Sequence, residues 1–230
     1  MAYTKRLLIP EYYKTGRKTH KFIVTGSCGP HNKGRSIPLA VALRDFLNIA
    51  EDISEVKQIL SKKSVKIDNI IRTDHKFPLG FMDVIAINDS LYRVLVDKKG
   101  LCIKPIEKSQ SNVKLLKIVK KLYNKKKQLQ LGFHDGRTLI VDKDVYKTGD
   151  VVLFDLTSRK IKDVIQFKRE SMVLITDGKN KGKIGKLQDY IIVRGSQPNK
   201  VIVRLENDTI ETLKDYVFIV GQENPIIKLE

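Results

Sequence analysis

The 230-residue chain has no tryptophan, only two cysteines and four histidines, and far fewer acids than bases, 26 Asp and Glu against 44 Lys and Arg. Each shortage excludes something. Two cysteines make no disulfide framework, so both thiols are expected to be free and partly buried, as in a reducing compartment. A structural zinc site wants two close ligand pairs. Cys28 and His31 with nearby His20 supply one, while Cys102, His75 and His134 stand isolated, so no metal and no other cofactor is expected. No stretch approaches the roughly 20 apolar residues of a membrane-spanning helix, and the first thirty residues lack the apolar centre of a secretory signal. A soluble intracellular protein without a membrane partner is the expectation. The shortage of acids leaves a formal net charge of +18, while hydrophobic residues at 41% suffice for a core. Such an excess repels itself in a compact state and calls for a polyanion, with nucleic acid the natural choice.

The charge is unevenly spread. Residues 1–36 hold eight bases and one acid, with the run GRKTHK and no sustained hydrophobic period. They read as an extended basic arm that orders on its partner, Tyr3, Tyr12, Tyr13 and Phe22 offering stacking groups. From Pro38 the period turns helical. Leu39, Leu43, Phe46 and Leu47, then Val56, Ile59 and Leu60, recur at three-to-four spacing and predict a helical hairpin over 37–63, with Ser54 and Asp52 competing to cap the second helix. Its solvent face would present Arg44, Lys57, Lys62 and Lys63. Beyond it VKIDNIIRTD reads as strand, Asp68-Asn69 turn, strand. FPLGFMDVIAI predicts a further strand, and LYRVLVDKKGLCIKPI a hairpin around Lys99-Gly100. Residues 105–170 carry sixteen bases and eight acids, seven of the lysines in VKLLKIVKKLYNKKK. Leu115, Ile118, Val119 and Leu122 in that run fit a helix better than strict alternation. The remainder, to residue 230, reads as strands and turns.

The strongest local motif is MVLITDGKNKGKIGKL. Glycines 178, 182 and 185 shape a loop that a phosphate backbone can approach, and Lys179, Lys181, Lys183 and Lys186 supply charge. It is no nucleotide-binding P-loop, because Gly182-Lys183 is followed by Ile184 and a strand instead of Ser or Thr and a helix. The segment resembles the KOW motif of small SH3-like barrels. The helical hairpin with KIDNIIRTD similarly resembles the S4-type RNA-binding domain, in which two helices and a β-turn form one basic surface. Lys57, Lys62, Lys63, Lys66, Arg72 and Lys76 would supply that surface, with only Asp68 and Asp74 opposing.

Arm, helical hairpin, KIDNIIRTD, GFMDVI at 80–85, HDGRT at 134–138, IKDVIQF and GKNKGKIG, in this order, resemble the archaeal and eukaryotic small-subunit ribosomal proteins of the S4e family. Gly29-Pro30-His31 in the arm adds to the likeness. The resemblance spans nearly the whole chain and implies a multidomain α+β protein in four parts. These are a basic arm (1–36), an S4-type domain with following strands (37–104), a central β domain (105–170) and a C-terminal KOW barrel (171–230). In that fold VKLLKIVKKLY is strand, against the reading from its periodicity. Asn69 and Arg159 stand at turn positions where the family usually has glycine, Asp177 replaces a glycine at the KOW loop entry, and Tyr12-Tyr13 replace a usual His-Trp pair.

The implied function is structural: a small-subunit constituent, cytoplasmic on the ribosome, partnered by rRNA and neighbouring ribosomal proteins, with no small-molecule substrate. The alternative is a KOW-containing transcription or translation factor that binds RNA transiently. Adjacent His134 and Asp135 build no nucleophile, base and orienting group, so no enzyme is expected. The candidate RNA contacts are Lys5, Arg6, Lys14, Arg17, Lys18, Lys21, His31, Lys33 and Arg35 in the arm, then Arg44, Lys57, Lys62, Lys63, Lys66, Arg72 and Lys76. Arg137, Lys179, Lys181, Lys183 and Lys186 complete the set.

Overall fold

A computed structural model describes residues 4–205 and 208–227. Strand dominates, helix is confined to short pieces, and the chain forms two compact units, one of residues 1–95 and 101–114, the other of residues 96–100 and 115–230.

In the first unit two brief strands, β1 (Thr4–Lys5) and β2 (Phe22–Ile23), pair antiparallel, and β3 (Ile37–Pro38) leads into helix α1 (Leu39–Val41). The helix continues as a wider turn over Ala42–Phe46. Asn48 then adopts a left-handed backbone (φ 53°), and the Ile49 N–H returns to the Leu43 carbonyl at 3.0 Å, a closing bond that satisfies an orphan carbonyl at the helix end. Helix α2 (Ile53–Ser61) follows after a short connection. Asp52 holds its N-cap position without a side-chain bond, and Ser54 lies inside the helix. At the other end the Ser64 hydroxyl donates to the Ile59 carbonyl at 2.9 Å. Val56 and Leu60, one turn apart, are buried with Leu39, Val41 and Leu43.

The sheet of this unit orders its strands β5-β4-β7-β8-β9, where β4 is Val65–Ile67, β5 Ile70–Ile71, β7 Val84–Ile87, β8 Ser90–Asp97 and β9 Gly100–Pro105. A brief strand β6 (Pro78–Leu79) pairs with β3 instead. The β4–β5 turn has both Asp68 and Asn69 in left-handed conformations, φ 49° and 63°, the hairpin geometry for which short polar residues are tolerated.

In the second unit β10 (Val113–Tyr123) continues out of the first, followed by β11 (Leu129–Phe133), β12 (Thr138–Val141), β13 (Val151–Asp155) and β14 (Lys160–Ile165), in sheet order β12-β11-β10-β13-β14. The helix that periodicity predicts over the lysine run is therefore a strand. Lys114, Leu115 and Leu116 are all buried, and the register shifts between Ile118 and Lys120. Burial on both faces followed by a bulge erases the alternation by which a strand is read. Arg159 takes a left-handed backbone (φ 54°) without being glycine. The last sheet orders β18-β17-β16-β15-β19, from β15 (Met172–Ile175), β16 (Ile184–Ile191), β17 (Lys200–Arg204), β18 (Thr209–Leu213) and β19 (Val217–Gly221), each neighbour antiparallel.

The first unit closes over a group of buried charges. The Lys114 ammonium, with no exposed surface, donates to Asp68 Oδ2 at 2.7 Å and Asp83 Oδ1 at 2.6 Å. Asp68 Oδ1 accepts the Val84 N–H at 3.0 Å, and Asp83 Oδ2 accepts the Gly80 N–H at 2.8 Å. Arg93, also fully buried, donates to the Gln110 and Val113 carbonyls at 2.8 and 2.6 Å. Burial brings its pKa down to about 10, against the pull of Asp68. Asp83 is pushed up by burial and drawn down more by Lys114, by His31 and by the Gly80 N–H, so its carboxyl sits below its ordinary 3.8.

Removing one partner of such a buried group strands the others. Lys114→Ala is expected to cost about 3–5 kcal/mol in urea unfolding, against less than about 0.5 kcal/mol for Lys120→Ala on the exposed face. Acid acts in a defined direction. A carboxyl with a lowered native pKa binds fewer protons folded than unfolded, so its contribution is complete above its ordinary 3.8 and is lost as pH falls through the native value. Stability should decline between about pH 5 and pH 2, more steeply than in Asp83→Asn, whose starting stability is lower.

Candidate nucleic-acid interface

Helix α2 and strand β4 each turn lysines outward. On α2 the apolar turn-spaced residues face inward, which leaves Lys57 outside with Lys62 at the helix end and Lys63 just beyond in a left-handed backbone (φ 57°). On β4 the period of two buries Val65 and Ile67 and turns Lys66 out. Arg72 and Lys76 follow half-buried, the Arg72 guanidinium 4.5 Å from the centre of the Phe77 ring. Arg44 is placed differently from expectation. Its guanidinium makes two parallel bonds to Asp45, 2.8 and 2.9 Å long, which raise its pKa and occupy the fork a phosphate would need.

The expected extended arm is folded against its own unit. Ile9 and Ile23 are buried, the Ser27 N–H donates to the Lys76 carbonyl at 2.9 Å, and the Ser27 hydroxyl to Asp74 at 3.1 Å. Tyr12 and Tyr13 meet edge to face and donate to the Ser36 carbonyl at 3.3 and 3.2 Å, so they anchor the arm. Burial pushes the Tyr12 phenol up to about 12. Phe22 remains 47% exposed, and Tyr3 lies outside the described residues. Lys5, Lys14, Arg17, Lys18, Lys21, Lys33 and Arg35 are exposed. Arg6 and His31 are not. Arg6 is buried and donates to the Thr15 hydroxyl, and the His31 ring donates from Nε2 to Asp83 at 3.0 Å.

His31 explains two sequence motifs at once. Its ring lies over Gly80, where an added Cβ would come within 2.2 Å of ring atoms, and Gly29 leaves no more room against the Pro78 ring, at 2.6 Å. Gly29-Pro30-His31 and GFMDVI are thus two sides of one contact, which also reaches Lys114 through Asp83.

In the second unit the lysine run divides by use. Lys117 donates to the carbonyls of Val217, Lys214 and Asp215 at 2.7, 3.2 and 3.2 Å, tying β10 to the approach to β19. Lys121 pairs with Asp144, while Lys120, Lys125, Lys126 and Lys127 are exposed. These four exposed lysines are absent from the sequence-based set, although the lack of acids in the run signals them. HDGRT is a turn lock. Buried Asp135 accepts the Arg137 backbone N–H and forms an ion pair with the Arg137 side chain, each at 3.1 Å, and His134 Nδ1 accepts the Lys117 N–H at 3.2 Å. The Arg137 side chain stays partly exposed but lies against Asp135 and the Phe154 ring.

The loop after β15 holds Lys179 exposed and Lys181 and Lys183 half-exposed, with Lys186 outward on β16. Lys183 donates to Asn180 at 3.0 Å. Gly182 has φ 81°, and an added Cβ would stand 2.6 Å from the Asp97 carbonyl carbon, so both backbone and space require glycine. Asp177 turns its carboxylate onto the Gly178 N–H at 2.8 Å. Exposed cations of this kind suit many weak phosphate contacts.

A family model described as ribosomal family S4e matches residues 88–161. The small ribosomal subunit protein eS4 of Archaeoglobus fulgidus is 40% identical over 230 residues, 98% of this chain and 97% of that protein. Its counterpart from Pyrobaculum islandicum is 39% identical and covers 100% of this chain and 99% of its own. The crystal structure of the 30S ribosomal protein S4e from Thermoplasma acidophilum matches with a TM-score of 0.71 at 32% identity, covering 82% of this chain and 96% of that one.

Gly80→Ala tests whether the arm is held through His31. The new methyl must displace the ring, at a cost of about 1–3 kcal/mol. Limited trypsin digestion should then cut at Arg17, Lys18 and Lys21 about tenfold faster than in the parent, and equal rates would refute the contact.

Proposed function

The chain belongs to the ribosomal protein family S4e, a structural family of the small subunit, and from that premise we propose that its exposed cations bind small-subunit rRNA at several separated points. The carrying observation is the sorting of charge within the first unit. Asp68 and Asp83 are turned inward, while Lys57, Lys62, Lys63 and Lys66 face solvent, so a segment nearly neutral in count, with Glu51, Asp52 and Glu55 exposed around the start of α2, still presents a local lysine cluster. Duplex RNA is recognised largely by shape and phosphate, which such a surface suits.

The reading keeps four functional parts: the arm of 1–36, an S4-type module over 37–104, a central β domain over 105–170 and a KOW barrel over 171–230. Support for the KOW assignment is the five-stranded antiparallel sheet and its lysine-bearing loop between β15 and β16. In this account the protein resides on the ribosome, contacts neighbouring ribosomal proteins and performs no catalysis. The arm cations, the α2–β4 surface, and Lys179, Lys181 and Lys186 supply the RNA contacts. His31 and Arg6 serve the fold, and Arg44 and Arg137 are held by Asp45 and Asp135.

Binding to a small-subunit rRNA fragment, measured as a function of salt, tests this directly. If about six to ten phosphates are neutralised, affinity falls roughly 10³ to 10⁵ between about 50 and 200 mM salt. Lys62→Ala with Lys63→Ala should lower the salt slope by about 2 without moving the thermal midpoint. A flat response contradicts the proposal. Loss of the protein from small subunits during a high-salt wash would favour a transient factor instead.

A further inference from the structure

The central sheet has one face that the RNA-binding account does not use. Cross-strand partners in an antiparallel sheet point to the same side, so the rows Leu122–Gln130–Ile140 and Lys120–Gly132–Thr138 across β10, β11 and β12 share a face. Leu122 is 58% and Ile140 55% exposed, and the bulge beside them leaves Val119 49% exposed. The two aliphatics of the first row lie about 10 Å apart, with the second row about 7 Å away along the strands. Single exposed apolar residues need no explanation; here three stand in one region of a sheet, Leu122 and Ile140 on either side of Gln130.

Gly132 sits inside β11 with no side chain, paired with Lys120 where the register of β10 shifts, and so belongs to the bulge. An added Cβ there would lie 3.4 Å from Lys120 Cβ, an ordinary contact, so the bare backbone leaves a dip in the face. The face is therefore an aliphatic patch with a shallow dip. Its six row residues include no carboxylate, and Lys120 and the exposed Lys125, Lys126 and Lys127 of the β10–β11 turn border it, against one exposed acid, Asp142, two residues beyond Ile140.

We propose that this face docks a segment of a neighbouring small-subunit protein that combines apolar side chains with Asp or Glu. An aliphatic centre with a charged rim is the make-up of a protein interface. Unpaired RNA bases are held by aromatic stacking and by arginine planes, and none of the six row residues is aromatic or arginine. The lysine rim selects an acidic partner. The proposal rests on the chain being built into the small subunit, and not on which cations touch RNA.

The experiment places p-benzoylphenylalanine at position 140, confirms incorporation of the protein into purified small subunits, and maps the photo-cross-link. A cross-link to a protein peptide bearing Asp or Glu beside apolar residues is expected. Cross-linking to rRNA, to a peptide without acids, or to nothing overturns the proposal while leaving rRNA binding intact. In parallel, Leu122→Ser with Ile140→Ser should leave the thermal midpoint and affinity for a naked rRNA fragment unchanged, and lower retention on salt-washed subunits about tenfold. Unchanged retention, or a loss of naked rRNA affinity, contradicts it.

Discussion

The buried ammonium of Lys114 between Asp68 and Asp83 organises the first unit. Through Asp68 it fixes a hairpin turn whose two central residues are both left-handed, and through Asp83 it fixes the loop before β7 and the ring of His31 from the arm. Met82, buried within that loop, is itself left-handed at φ 70°, a conformation the surrounding bonds maintain. A group of this kind adds little net stability, because desolvation offsets much of the Coulombic attraction. Its leverage is felt when any one member is removed, since the remaining charges have no access to water.

The same arrangement resolves how a chain with a net charge of +18 folds and still presents charge to a partner. The cations have two uses. Lys114 and Arg93 are buried, and Lys117 is drawn onto backbone carbonyls, where they set geometry. Lys57, Lys62, Lys63, Lys66, Lys179 and Lys186 stay in water, where attraction to phosphate is cheap to make and sensitive to salt. Gly29-Pro30-His31, GFMDVI and HDGRT fall on the first side, as internal contacts that serve the fold.

Much was legible in the residue pattern: the two helices, the Asp68-Asn69 turn, most strands of the two later sheets and the exposed lysines of α2 and β4. Three features were not, each for a physical reason. The strand Val113–Tyr123 hid behind helix-like spacing because its first residues are buried on both faces and a bulge then shifts its phase. The arm's polar, glycine-rich composition resembles a disordered tail, yet Ile9, Ile23 and the two tyrosines anchor it through contacts far along the chain. The inward turn of His31, Asp68, Asp83 and Lys114 depends on pairings 31 to 52 residues apart, which no local period encodes.

A double-mutant cycle on Lys114→Met and Asp83→Asn, followed by urea unfolding, tests the central claim most directly. The account predicts a coupling energy of about 1.5–3 kcal/mol, each single change being far more damaging than its increment in the presence of the other. Coupling below about 0.5 kcal/mol would mean that the two charges act independently and that the first unit is held by its apolar core alone.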